Sequence, residues 1–447
     1  MLKIYDVLIV GGGPAGYTAA LMLKRLSPET SVAVVRREEK VLIPCAIPYL
    51  FNSIDSIDKN ILSDEPLRKL GVEIFVDEVT SVDLSGRSVK TLKSGELGFK
   101  RLVLATGSRP KRLGVDGENL KNVYHIVKDY NYLREAIAAV RDASNVVIVG
   151  GGFVGVEIAD DLSKTGKNVT LVEVLPHCLL KNFDEDFAVL AEEELKKRGV
   201  NIKTGVTVSK ILGSGRVERV RLSNGEEISA DVVIIAVGVE PNTDLARAMN
   251  LRVGVTGGIV VDSCRRSSNP IVYAVGDCVE RLDLVTGKPV LVQLASAATT
   301  DARMATLHIA ANASCRYIGH VGAFSTRVGE IVFGAVGVTE SRAREEGIEY
   351  VVGVGEAVDK HPTILPGAKA VKLKLLVSKT TGEIIGAQVA GGQSVAELIN
   401  MVSVLMQNKT HLLDLLSLQI ATHPWLTPSP VTYPLYTATL DAYKKLR

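Results

Sequence analysis

Two stretches of the chain repeat one pattern: "YDVLIVGGGPAGYTAALML" at 5–23 and "SNVVIVGGGFVGVEIADDL" at 144–162. Each has a short apolar run, then GGGxxG, then a segment rich in small, helix-compatible residues. The glycine runs start 139 residues apart, at Gly11 and Gly150. The runs "VLIV" and "VVIV" read as strands buried on both faces, as in a parallel sheet. A strand that turns through glycine straight into a helix predicts an α/β fold, with this supersecondary unit present twice.

The glycines have separate tasks. Gly11 and Gly150 permit the tight turn. Gly13 and Gly152 leave the backbone bare for a pyrophosphate. Gly16 and Gly155 let the helix pack closely on the strand. The helix N-terminus then faces the phosphate charge. One such motif is weak evidence, but two in full strand-turn-helix context predict two dinucleotide sites.

At about 150 residues per domain, 447 residues suggest about three domains. Apolar residues are 46% and charged residues 23%, an ordinary globular balance that argues against disorder. A formal net charge of +2 gives no long-range pull toward nucleic acid or an anionic membrane. The five cysteines, Cys45, Cys178, Cys264, Cys278 and Cys315, are odd in number and widely spaced, without CxxC. That pattern indicates neither a disulfide framework nor a metal site, and predicts free thiols in a reducing compartment. The start "MLKIYDVLIV" runs into a strand without signal-peptide anatomy, and no apolar run approaches the ~20 residues that span a bilayer. The expectation is a soluble cytoplasmic protein.

Further landmarks follow each glycine unit. "RLVLATGSRP" (101–110) and "DVVIIAVGVEPNTDL" (231–245) read as strands ending in small residues. "NPIVYAVGDCVE" (269–280) is a strand that delivers Asp277 at its C-terminal end, where α/β sheets bind ligands. From about 320 the pattern changes to strands, a hairpin signal at "KTTGE" and a helix at "SVAELINMVSVLMQNKT", with no phosphate loop. This third unit is expected to make subunit contacts.

In that order, "GGGPAG", "ATG" at 105–107, "GGGFVGVE", "VGVEPNT" and "AVGDC" resemble the pyridine-nucleotide disulfide reductase superfamily over nearly the whole chain. The resemblance implies an α/β protein with two Rossmann-like domains. FAD would sit on the first, split domain (1–115 and 250–320) and a nicotinamide nucleotide on the second (116–249). Residues 321–447 would be an α+β dimerisation domain. The implied assembly is a homodimer, with tetramers left open. Carried over, Pro14 and Ala15 of the first glycine loop and Ala105, Thr106 and Gly107 approach the flavin, and Asp277 takes the ribityl chain. Ala295 and Ala298, in "QLASAATTDAR" (293–303), lie on the helix that reaches the isoalloxazine; Ala302 stands where the family usually has glycine. Phe153 matches an aromatic gate over the flavin, beside Val154. Glu157 matches a glutamate near the nicotinamide, and Gly238 belongs to the "VGVEPNT" strand end.

Glu173 ends the strand after the second unit. A carboxylate there bonds an adenosine ribose 2′-OH and repels a 2′-phosphate, favouring NADH. In the first unit Arg36 and Arg37 stand where a glutamate for the FAD ribose is expected, with Glu38 as a substitute.

The stretch "VLIPCAIPYL" (41–50) holds one cysteine and has Leu50 where two-cysteine relatives carry the second. It resembles the single-cysteine branch: coenzyme A-disulfide reductases, persulfide and polysulfide reductases, NADH oxidases and peroxidases. Cys45 would face the flavin, with Pro44 and Tyr49 as candidate substrate contacts, and would have to work as a thiolate, which a helix N-terminus or a nearby cation favours. The first glycine loop lacks the histidine that oxidases and peroxidases usually place there. This favours reduction of a persulfide, polysulfide, coenzyme A disulfide or coenzyme A persulfide. Coenzyme A is a candidate substrate or bound ligand, with Lys24 and Arg25 as candidate contacts for its phosphates. The alternatives are an NADH oxidase or peroxidase cycling Cys45 through sulfenic acid, and an NADH-reducible flavoprotein serving a protein partner. The last segment, "ATHPWLTPSPVTYPLYTATLD", resembles one that carries a histidine to the partner subunit's site. His423 is the candidate acid, and Tyr433 and Tyr436 are candidate hydroxyl donors. No metal site is expected.

Overall fold

The computed structural model describes residues 2–447. The first glycine unit builds a sheet in the order Glu73–Val76, Val32–Arg36, Lys3–Val10, Glu96–Leu104. Val272–Ala274, far along the chain, joins Glu96–Leu104 in parallel, and the hairpin Val79–Asp83/Ser88–Thr91 closes the edge. Alternation along Lys3–Val10 serves two cores. Val7 and Ile9 pack with Ala15, Ala19 and Ala302, whereas Leu8 and Val10 pack with Val79, Val89 and Leu251. A strand buried on both faces has to read as a continuous apolar run, as "VLIV" does.

The second unit repeats the plan as a five-stranded parallel sheet, Asn201–Lys203, Asn168–Val172, Asn145–Val149, Val232–Ile235, Val123–His125. Val146 and Ile148 face a core shared with Ile158 and Phe187, and Val147 and Val149 face one shared with Val208 and Val220. The C-terminal domain is an antiparallel sheet, Phe324–Val328, Ile331–Gly337, Ile384–Gly391, Ala370–Ser378, Tyr350–Val358. The hairpin turn falls at 379–383, with Gly382 at φ +69°. The last helix, Pro434–Leu446, lies on Tyr350–Val358. Gly353 and Gly355 make that approach possible, since a Cβ at either would fall on a carbonyl of the helix.

Two expectations change. The boundary near 250 falls too late: Ala246, Met249 and Leu251 pack into the first domain's core, so the chain returns to it at about 242. The antiparallel pair Ser108–Pro110/Val239–Pro241 marks both crossings, and the segment from about 113 packs with the second domain. The expectation of five free thiols is also corrected. Cys264 and Cys315 form a disulfide, leaving Cys45, Cys178 and Cys278 free. Spacing along the chain gave no hint, because folding alone brings the two together around the helix Ala295–Ala311. No helix among the described residues is long and apolar enough to cross a membrane.

Candidate functional site

The two glycine loops are near copies in space. Gly11 and Gly150 have φ of +111° and +110°, and a Cβ on Gly11 would collide with the Ala105 carbonyl, as one on Gly150 would with Ala236. Gly16 and Gly155 leave no room because a Cβ would meet the carbonyls of Gly11 and Gly150. Gly13 and Gly152 have nothing within 4 Å of a Cβ. Their space is open, as a site for an approaching phosphate requires. Gly13 and Gly152 also cap the helices Pro14–Leu26 and Phe153–Ser163 without side-chain hydrogen bonds.

The first loop opens onto a cleft of about 2130 Å³ that runs between all three domains. Gly11, Gly13, Pro14, Ala15 and Glu38 line one end. Ala105, Thr106, Gly107, Asp277, Ala295 and Ala298 line its wall, and Pro44, Cys45, Phe153, Val154, Glu157 and Gly238 its other parts. Ala15, Gly276 and Ala298 pack closely: a Cβ on Gly276 would lie 2.9 Å from that of Ala15.

Arg36 lines the cleft, but its guanidinium is committed to the protein. It is 4% exposed, donates to the carbonyls of Glu38 and Glu39, and makes a two-pronged pair with Asp64. Arg36 thus holds the loop that presents Arg37 and Glu38 to the cleft. Glu173 stands beside the second loop as expected. Its two oxygens accept from the N–H of Gly151 at 2.5 Å and of Leu175 at 2.8 Å.

Asp277 has two partners that the sequence did not announce. Ser108 donates to its Oδ2 at 2.8 Å and Lys128 at 2.9 Å. Lys128 belongs to the second domain, 149 residues away along the chain. The ATG segment is tied to 240–242 in the same manner: Thr106 Oγ1 donates to the Asn242 carbonyl at 2.6 Å and Asn242 Nδ2 to that of Thr106 at 3.0 Å.

Cys45 begins the 3-10 segment Pro44–Phe51 and is exposed to the cleft. The expectation of a depressed thiol pKa is corrected. Burial by the surrounding protein raises it, the Glu157 charge raises it further, and Lys128 opposes both. The start of a short 3-10 segment and one cation do not outweigh desolvation here.

Glu157 accepts a 2.7 Å hydrogen bond from Thr326 of the C-terminal domain. Burial pushes its carboxyl up to about 7, against the Thr326 bond and with help from Asp160. Phe153 stacks on Phe324, ring centroids 5.3 Å apart and planes at 18°. Thr326 and Phe324 were both missed, since nothing local marks a residue that works across a domain boundary.

Other candidates lie elsewhere. Tyr49 is half-buried away from the cleft lining, and burial with the Glu157, Asp160 and Asp161 charges pushes its hydroxyl to about 12. Lys24 ties down the loop that follows its helix, donating to the carbonyls of Pro28 and Thr30, whereas Arg25 is exposed. His423 is exposed in the C-terminal segment, and none of His423, Tyr433 and Tyr436 lines the Cys45 cleft of its own chain. Tyr433 is buried and lines a separate cavity of about 370 Å³, and Tyr436 donates to the Leu418 carbonyl at 2.5 Å.

Two nucleotide cradles built alike, one opening onto a cleft that also exposes a free cysteine, define an oxidoreductase of the nicotinamide- and flavin-dependent class. The pyridine nucleotide-disulphide oxidoreductase family matches residues 5–302, and the dimerisation domain of that family matches 325–433. The chain belongs to this family, whose cofactors are FAD and NAD(P)H. It is 33% identical to an NAD(P)H coenzyme A polysulfide/persulfide reductase of Pyrococcus horikoshii, over 90% of this chain and 91% of that one. It is 30% identical to an NADH oxidase of Methanocaldococcus jannaschii, over 98% and 99%. Among solved structures, an NAD-dependent persulfide reductase from A. fulgidus superposes with a TM-score of 0.92 at 30% identity, covering 98% of this chain and 83% of that one.

Proposed function

We propose that the chain is a homodimeric FAD enzyme that uses NADH to reduce a persulfide, polysulfide or coenzyme A disulfide through Cys45. The observation that carries this reading is the isolation of Cys45. It opens on the cleft, whereas Cys178 and Cys278 are buried elsewhere and Cys264 is bonded to Cys315. A redox cysteine with no partner thiol is free to take its second sulfur from the substrate.

Bound FAD supplies a two-electron relay between nicotinamide and sulfur. The open faces of Gly13 and Pro14 would take its pyrophosphate, Asp277 its ribityl chain, and the N-terminus of the helix Ala295–Ala311 its ring. Gly152 and Glu173 would hold the NADH adenosine half, with Phe153 and Glu157 toward its nicotinamide. The Cys45 thiolate attacks the outer sulfur of a persulfide. The S–S bond of the substrate breaks, the departing thiolate takes a proton, and Cys45 keeps a persulfide. Two electrons that began on NADH then break the new S–S bond, releasing hydrosulfide and restoring the thiolate. Arg25 is the exposed cation left to meet coenzyme A phosphates, because Lys24 is committed to the loop carbonyls of Pro28 and Thr30. His423, which does not line the cleft of its own chain, would act on the Cys45 site of the partner subunit.

The Methanocaldococcus relative favours a second reading, an NADH oxidase. Against it, His320 is the one histidine lining the cleft, and burial with two arginines lowers its pKa to about 4, too weak a base to hold a proton at neutral pH. Anaerobic reduction with NADH, followed by challenge with coenzyme A persulfide, coenzyme A disulfide, peroxide or oxygen, separates the readings. Fast flavin reoxidation by the sulfur compounds, lost in Cys45→Ser, supports the proposal. Oxygen turnover far above sulfur turnover overturns it, and full turnover in Cys45→Ser would leave a protein electron acceptor.

A further inference from the structure

The Cys264–Cys315 disulfide joins two segments that the sequence separates by 51 residues, with Cα atoms 5.2 Å apart. Cys264 sits in a tight turn at 262–266. There Asp262 Oδ1 accepts from the N–H of Cys264 and of Arg266, at 2.8 and 2.9 Å. Cys315 lies on the stretch that leads from the helix Ala295–Ala311 to the C-terminal domain. That stretch has little else to hold it: among the described residues, no backbone N–H from 313 through 319 donates a hydrogen bond. Pairing resumes at His320, whose N–H reaches the Leu282 carbonyl at 2.8 Å.

The same stretch lines the cofactor cleft through Arg316, Tyr317, Ile318 and Gly319. Its one other tether grows from the residue next to Cys264. The Arg265 guanidinium lies 3.9 Å over the Tyr317 ring, and Arg265 pairs with Asp301 at 2.8 Å. Asp301 also holds Arg281, and accepts from the N–H of Gly276, at 3.1 Å, next to Asp277. The tether thus passes from Tyr317 through Arg265 and Asp301 to the strand end that carries Asp277. The loop closed by the disulfide contains Val272–Ala274, Asp277 and the helix Ala295–Ala311, which is the whole C-terminal half of the flavin cradle.

We infer that Cys264–Cys315 is a thiol-sensitive clamp, separate from Cys45, that holds the interdomain stretch against the flavin domain and so slows loss of FAD. Opening it needs only a small thiol. A thiolate attacks the half-buried Cys315 sulfur, and the more buried Cys264 leaves as thiolate. A second thiolate then takes the first off Cys315. Two external thiols become one external disulfide, and the two electrons reduce the clamp. With the bond open, the stretch keeps the Arg265–Tyr317 stack but loses its covalent tether, and the cross-link no longer restricts the loop.

The test uses holoenzyme purified without reductant. Alkylation under denaturing conditions, with peptide mass mapping, is expected to label Cys264 and Cys315 only after treatment with a phosphine. The same treatment is expected to lower Tm by several degrees and to speed FAD release, followed by flavin fluorescence, several-fold. Cys264→Ser/Cys315→Ser, which retains Cys45, is expected to release FAD at the faster rate and to ignore the phosphine. Labelling of both cysteines before reduction overturns the clamp. So does a wild-type FAD release rate that reduction leaves unchanged, whether or not the double variant folds. None of these readouts depends on which substrate Cys45 serves.

Discussion

Thr326 Oγ1 donates a 2.7 Å hydrogen bond to Glu157 Oε1, joining the C-terminal sheet to the first turns of the helix behind the second glycine loop. This hydroxyl is the partner found for a carboxyl that burial raises to about 7. Neutral Glu157 suits that environment, and ionised Glu157 does not.

The sign of the resulting pH effect follows from linkage. The folded protein holds the Glu157 proton more tightly than the unfolded chain, so stability is present below about pH 4.5 and is lost as pH rises through about 7. The full effect is at most about 3 kcal/mol. Glu157→Gln is therefore expected to flatten the fall in Tm between pH 5 and pH 8, measured by calorimetry on both proteins. An equal fall in the variant would assign the pH dependence to other groups.

Two glycines of one loop should fail differently. Gly11→Ala puts a Cβ on the Ala105 carbonyl at φ +111°, so it should destabilise the first domain and lower soluble yield. Gly13→Ala meets no protein atom within 4 Å and should leave the Tm of apo-protein within a few degrees. Its methyl projects into the phosphate space, so FAD affinity should fall at least about tenfold, or about 1.4 kcal/mol. Soluble yield and thermal melts of apo-protein check the stability effects, and titration with FAD checks the affinity.

Cys45 in apo-protein should alkylate slowly at pH 7 and faster toward pH 9 and above, because burial and Glu157 hold its proton. Lys128 opposes that rise, so Lys128→Met should slow the reaction further at each pH. Iodoacetamide kinetics with peptide mapping provide the measurement. A plateau already reached at pH 7 would mean a thiolate stabilised by some other group.

The place of His423 can be read from mixed dimers. Cys45→Ser chains co-expressed with His423→Ala chains should recover activity if His423 serves the partner subunit, because one site of each mixed dimer then has both residues. Purified mixed dimers as slow as the parent variants would mean that His423 does not serve the partner subunit, and a His423→Ala enzyme as fast as the wild type would remove it from the chemistry.

The features legible in the sequence are those whose cause is local. Glycine at a positive φ, a bare backbone at Gly13 and an apolar run buried on two faces leave their mark in neighbouring residues. The hairpin at 379–383 was legible for the same reason. Lys24 shows the limit of such reading. A lysine in the last helical turn reads equally as a ligand contact or as helix-dipole chemistry, and here it is taken up by the Pro28 and Thr30 carbonyls of the loop that follows.

By itself the sequence determined two nucleotide cradles, their order, and a lone cysteine after the first, because each is written within about twenty residues of chain. The tertiary structure alone decided what surrounds them. It brought Lys128 to Asp277, Thr326 to Glu157 and Cys264 to Cys315, pairs that lie 149, 169 and 51 residues apart. It also set the proton affinity of Cys45, which depends on how deeply the folded domains enclose the sulfur and which charges they leave facing it. Such partners meet only when separate cores dock, and no short window of sequence carries the distance between two surfaces.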